Sequence, residues 1–102
     1  MGCCEDIVET MNRIALITGA GRGIGARIAR QFALQGYDLA LTSRDGKSAE
    51  QVASELRREG KRAVGLAANA SDPPFAAAAI EKTVAEYGRL DVLVNNDRHF
   101  QP

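Results

Sequence analysis

Glycines alternate at positions 19, 21, 23 and 25, directly behind the apolar run Ile14-Ala15-Leu16-Ile17 and directly ahead of a helical pattern. Without a Cβ, such a turn lets backbone N–H groups approach an anionic group that sits on the positive end of the following helix. The stretch Thr18, Gly19, Gly21, Arg22, Gly23, Ile24 and Gly25 is therefore a candidate cradle for the diphosphate of a dinucleotide. The competing reading is a strand-to-helix turn that needs glycine for its bend alone. Other reactive side chains are few. Cys3 and Cys4 are adjacent and His99 lies at the far end of the chain, so neither a disulfide framework nor a zinc site assembles from them.

The elements that must position this turn follow from periodicity. Ile14–Ile17 reads as a buried strand. Residues 24–35 read as a helix with Ile24, Ile28 and Phe32, and the small Ala29 and Ala33 beside them, as its sheet-facing stripe and Gly36 as its stop. A second strand spans residues 38–42 and exits through the polar loop Ser43-Arg44-Asp45-Gly46. Ser48 and Gln51 are spaced as a capping box for the next helix, whose buried stripe is Ala49, Val52, Ala53 and Leu56. Residues 62–66 form a third strand. Asp72 then caps a helix entered through Pro73, with Phe75, Ala79, Ile80, Val84 and Tyr87 inward. Residues 90–94 are the fourth strand. This β-α-β-α-β-α-β alternation, with short connections, predicts an α/β parallel sheet built from right-handed crossovers.

Composition bounds the rest. The chain has 102 residues, enough for one small domain with a modest core. Lys plus Arg and Asp plus Glu balance at 13 each, so net charge gives no support for nucleic-acid or membrane-surface binding. No apolar run approaches the ~20 residues of a membrane span, and the start is not a secretory signal, which makes the cytosol the default compartment. Met1-Gly2-Cys3-Cys4 invites an acylation reading, but Asp6 stands where that motif wants Ser or Thr. Residues 1–11 otherwise read as a disordered leader.

Thr18-Gly19-x-x-x-Gly23-x-Gly25 resembles the cofactor turn of the short-chain dehydrogenase/reductase family, and the resemblance runs from residue 12 to residue 96. It implies a Rossmann-like sheet of order 3-2-1-4, the first half of a doubly wound fold. It also implies nicotinamide dinucleotide as the ligand. A basic residue inside the glycine turn and another just after the second strand mark NADP preference in that family. Arg22 and Ser43-Arg44 occupy those places here. The physical reason is that a guanidinium meets a 2′-phosphate bidentately, and the competing reading is two solvated loop arginines. Asn69 stands where the family has an Asp that accepts from the adenine amino group, with Ala70 beside it, or Asn69 is a plain turn residue. Asn95 and Asn96 match an Asn-Asn-Ala-Gly segment near the adenosine, whereas Asp97 and Arg98 depart from it.

The family's chemistry rests on a Ser and a Tyr-x-x-x-Lys motif downstream of that segment. Neither tyrosine serves, since Leu41 lies four residues after Tyr37 and Asp91 four after Tyr87. The expectation is the cofactor-binding half of an NADP-dependent reductase, akin to 3-oxoacyl-carrier-protein reductases and inactive alone. Loss of pattern in residues 97–102 suggests a truncated, alternatively spliced or frame-shifted product. Two other readings stand beside it. One is a binding module that self-associates or pairs with a full-length relative through the apolar fourth strand, Val92-Leu93-Val94. The other is a fragment that does not fold stably.

Overall fold

The computed structural model describes residues 12–68 and 73–96. Strands β1 (Ile14–Ile17), β2 (Asp38–Ser43), β3 (Ala63–Ala67) and β4 (Val92–Val94) alternate with helices α1 (Gly23–Leu34), α2 (Lys47–Arg58) and α3 (Pro73–Tyr87). The strands form one parallel sheet, as the alternation predicted, in the order β3-β2-β1-β4 that the resemblance implied. Ile14 pairs in register with Asp38, Leu39 with Ala63, and Leu16 with Leu93. Every residue of β1 and β2 is buried, because helices cover both faces of these two central strands. Ala15, Ile17, Leu39 and Leu41 pack with α1 and α2 on one side. Leu16 and Ala40 pack with Ala79 of α3 on the other.

The face that α1 turns to the sheet is the small-residue part of the predicted stripe, with Gly25 added and Ile24 left out. Gly25, Ala29 and Ala33 are its buried residues, Ile28 and Phe32 are half-buried at the rim, and Ile24 is 67% exposed. Proximity is the cause. A Cβ on Gly25 would lie 2.0 Å from the Gly19 carbonyl oxygen, so the helix sits too close to β1 for a large side chain on that face. Likewise in α3, Thr83 is buried and donates its hydroxyl to the Ala79 carbonyl at 2.8 Å, while Val84 points outward and is 41% exposed. Phe75 and the Asp72 cap lie outside the described side chains.

The predicted capping box at Ser48 is also corrected. Helix α2 starts at Lys47 behind Gly46, whose backbone is left-handed at φ +83°. The Lys47 N–H donates to Asp45 Oδ1 at 2.9 Å, and the Ala49 N–H donates to Ser43 Oγ at 3.1 Å. Ser43, at the end of β2, caps the helix from across the loop, which leaves Ser48 inside the first turn. The buried stripe of α2 is the predicted one: Ala49, Val52, Ala53 and Leu56.

The two edges of the sheet differ. Along β3, Glu50 Oε1 accepts the Gly65 N–H at 3.2 Å, and Arg57 Nη1 donates to the Ala63 carbonyl at 2.7 Å. The two side chains are themselves ion-paired, and Arg57 holds the Glu50 carboxyl below the usual carboxylate range. Helix α2 thus occupies backbone groups that an edge strand would otherwise offer to another chain. Along β4, the Thr18 N–H donates to the Val94 carbonyl, which faces β1, so Leu93 turns its own N–H and carbonyl to the open side. Its side chain is 50% exposed.

Candidate functional site

The carboxyl ends of β1, β2 and β4 converge on the glycine turn. Gly19 and Gly23 both have φ of +62°, the left-handed region that disfavours any other L-residue. A Cβ on Gly23 would meet nothing within 4 Å, so this side of the turn is open. Gly25 is required by close packing instead, as described above. Gly21 has a further reason to be glycine: a Cβ there would fall 2.1 Å from Ser48 Oγ on the first turn of α2. Arg22 precedes α1 in extended conformation, makes no side-chain cap, and is followed by no acidic residue in the first turn. By contrast the N-terminus of α2 has its Lys47 and Ala49 N–H groups taken by Asp45 and Ser43 and carries Glu50. The positive end of α1 is thus the more open of the two to an anion.

Three hydrogen-bonded residues hold this turn in place. Thr18 Oγ1 donates toward Asn95 Oδ1 at 3.2 Å and accepts the Asn96 N–H at 2.9 Å. The Asn96 side-chain amide donates to the Gly19 carbonyl at 3.2 Å. From the other side, the Ala20 N–H donates to the Thr42 carbonyl at 2.8 Å, tying the turn to β2. Asn96 was legible in sequence only as a match to a segment. The structure gives it the closer contact to the glycine turn, and the paired asparagines were the available signal.

At the exit of β2, Ser43 is 8% exposed and its oxygen accepts from Ala49, so its first duty is to anchor α2. Arg44 and Arg22 are exposed, and among the described residues neither enters an ion pair. Asp45, which could have neutralised Arg44, is turned to the Lys47 N–H. Asn69 and Ala70 lie outside the described residues. Thr18, Gly19, Gly21, Arg22, Gly23, Ile24 and Gly25 lie on or beside the turn with the Asn95 side chain bonded to Thr18, while Ser43 and Arg44 follow Thr42, whose carbonyl ties β2 to the turn at Ala20. Both tyrosines sit elsewhere. Tyr37 stacks edge-on against Phe32 at 4.8 Å. Tyr87 donates to the Leu39 carbonyl at 2.7 Å beneath the Arg62 guanidinium, near the amino end of β2. Burial and the nearby Asp38 carboxylate push the Tyr87 phenol up to about 12.

The sequence matches the short chain dehydrogenase family over residues 13–97. The chain belongs to that family. The 3-oxoacyl-(acyl-carrier-protein) reductase FabG of Staphylococcus aureus is 42% identical over 87 residues, which is 84% of this chain and 35% of that protein. Among solved structures, a metagenomic short-chain oxidoreductase in complex with NADP superposes with a TM-score of 0.76 at 40% identity, over 83% of this chain and 38% of its own. A short chain dehydrogenase/reductase from Burkholderia phymatum in complex with NAD gives 0.76 at 27% identity, over 80% and 29%. The chain spans about a third of the length of the curated relatives it matches. The sheet order is thus that of a short-chain dehydrogenase, and among the described residues no helix is long and apolar enough to cross a membrane.

Proposed function

We propose that residues 12–96 are a dinucleotide-binding half-domain that prefers NADP(H). The observation that carries this reading is the open, uncapped N-terminus of α1 behind Gly19 and Gly23, flanked by two exposed arginines outside any described ion pair. The diphosphate would lie on the backbone from Gly19 to Gly25, with Thr18 and Asn95 fixing the turn beside it. Arg22 and Arg44 would hold the 2′-phosphate, with Ser43 shaping the loop, and Asn69 and Ala70 would meet the adenine. When bound, the nicotinamide supplies the hydride chemistry of an oxidoreductase acting on a carbonyl or alcohol, in the manner of the 3-oxoacyl reductase relative. The proton donor for that step is not among Tyr37 and Tyr87, which lie away from the turn. This chain's own share is binding and orientation, and the cytosol is the proposed place.

The test is calorimetric titration with NADPH and NADH. Saturable binding of NADPH at least tenfold tighter than NADH is expected, with the margin lost in an Arg22→Ala, Arg44→Ala double variant. Equal affinities, or no heat from either ligand, would overturn the reading. A second reading, a partner-binding module, is favoured by the open edge at Leu93. It predicts that the chain, at micromolar concentration, elutes larger than a monomer alone or together with a full-length relative.

A further inference from the structure

We infer that Ser48 is a third reader of the 2′-phosphate, one that the sequence assigns to a cap and the structure releases from it. The inference rests on the NADP(H) reading above and starts from the contact between α2 and the glycine turn. Ser48 Oγ and Cβ lie 2.1 and 2.7 Å from the point where a Gly21 Cβ would stand, so the hydroxyl rests on the backbone of Gly21. Arg22 is the next residue of the turn, and the Ser43-Arg44-Asp45-Gly46 loop leads directly into the turn of α2 that carries Ser48. Ser48 is therefore placed where the two arginine-bearing segments meet.

Its polar groups are also uncommitted. In the first turn of α2 the Lys47 N–H goes to Asp45, the Ala49 N–H to Ser43 and the Glu50 N–H to the Gly46 carbonyl. Among the described residues, the Ser48 N–H and hydroxyl make no hydrogen bond. Three cations sit close to Ser48 along the chain or next to its Gly21 contact: Arg22, Arg44 and Lys47 are exposed, and none of them is in an ion pair among the described residues. Of the carboxylates in or beside this turn, Asp45 accepts the Lys47 backbone N–H and Glu50 is held by Arg57 and the Gly65 N–H. A dianionic phosphate takes several donors at once, and a hydroxyl with an adjacent N–H complements two guanidinium groups. Ser43, the serine that sequence reasoning chose, is 8% exposed and engaged with Ala49, so the exchange of roles between the two serines is what the fold adds.

The experiment compares the full chain with Ser48→Ala by calorimetry, using NADPH, NADH and 2′,5′-ADP as probes. The alanine keeps the Cβ that packs on Gly21 and removes only the hydroxyl. Affinity for NADPH and for 2′,5′-ADP is expected to fall about tenfold, the scale of one charge-assisted hydrogen bond, with NADH unchanged. The unchanged NADH titration and an unshifted melting curve show that the variant is folded. Equal weakening of NADPH and NADH would make Ser48 a packing residue and overturn the inference, as would NADPH affinity within twofold of the parent chain. A parent chain with no NADPH preference would instead sink the NADP(H) reading itself, and this inference with it.

Discussion

Replacing Gly25 with alanine tests the central packing claim. By intrinsic preference alone the change should stabilise α1 by about 0.8–1 kcal/mol, since alanine is the better helix former. The structure predicts the opposite sign. The new methyl would lie 2.0 Å from the Gly19 carbonyl oxygen, 2.8 Å from its carbon and 2.7 Å from the Asn96 amide nitrogen. The first two are backbone atoms that cannot swing aside, so α1 must lift from the turn or the turn must move. Overpacking of this kind costs roughly 1–3 kcal/mol, and loss of the Asn96 bond to Gly19 adds ~1 kcal/mol. After the propensity gain is subtracted, a net loss of roughly 1–3 kcal/mol remains. For a chain of this size that is a fall in Tm of roughly 5–20 °C. Thermal and urea unfolding followed by circular dichroism would measure it, with Gly36→Ala as a control. Gly36 has φ of +93° and open space around it, so its alanine variant should lose only ~1 kcal/mol of backbone strain. A Gly25→Ala chain as stable as its parent, or more so, would refute the argument that proximity at Gly19 chose the small-residue face of α1.

Other expectations follow from the same contacts. Thr18→Val leaves the Asn96 N–H without its acceptor and should cost about 1–2 kcal/mol in urea unfolding, with faster amide exchange at residues 95–96. Stability should decline as pH rises from 10 towards 12, because the unfolded phenol of Tyr87 ionises near 10 while the folded one resists to about 12. That alkaline slope should be absent in Tyr87→Phe. On the acid side, Glu50 and Asp91 are held below their ordinary values of 4.5 and 3.8, by Arg57 and Arg89 first. Their contribution is present above those values and is lost as pH falls through the lowered ones, which a series of melts from pH 5 to pH 2 would record. Glu50→Ala should lower stability by under ~1 kcal/mol, since the ion pair is exposed, yet raise light scattering with concentration by freeing the Gly65 N–H at the sheet edge.

Helix number, strand number and the location of the glycine turn were legible because they depend on local signals, such as short apolar runs, the stop at Gly36 and the spacing of the turn, whereas the strand order came from the family resemblance that this spacing carries. What escaped depends on distance between elements. Within the predicted stripe of α1 the sheet buried Ala29 and Ala33, added Gly25, and left Ile24 exposed with Ile28 and Phe32 at the rim, because closeness of approach ranks side chains by size before hydrophobicity. The spacing of Ser48 and Gln51 satisfies the local rule for a cap, but Ser43 reaches the helix from another strand, which no window of sequence contains. Thr83 went unnoticed in favour of Val84 because a threonine inside a helix can spend its hydroxyl on the preceding turn, here the Ala79 carbonyl, and then pass for a valine. At the site, the turn and the two arginines were readable from their positions. The tie from Asn96 to Gly19 and the contact of Ser48 with Gly21 were not, since each joins residues that are distant in the chain.

The bond from Glu50 and Arg57 to the backbone of β3 gives the sheet a direction of growth. Any strand that extends it, whether supplied by more chain or by another molecule, finds the β3 side shut and must add beside Leu93. The shut side is also the one encoded first. Its latch draws only on residues 50 to 65, so every group that shuts that side precedes β4 in the chain and none depends on it.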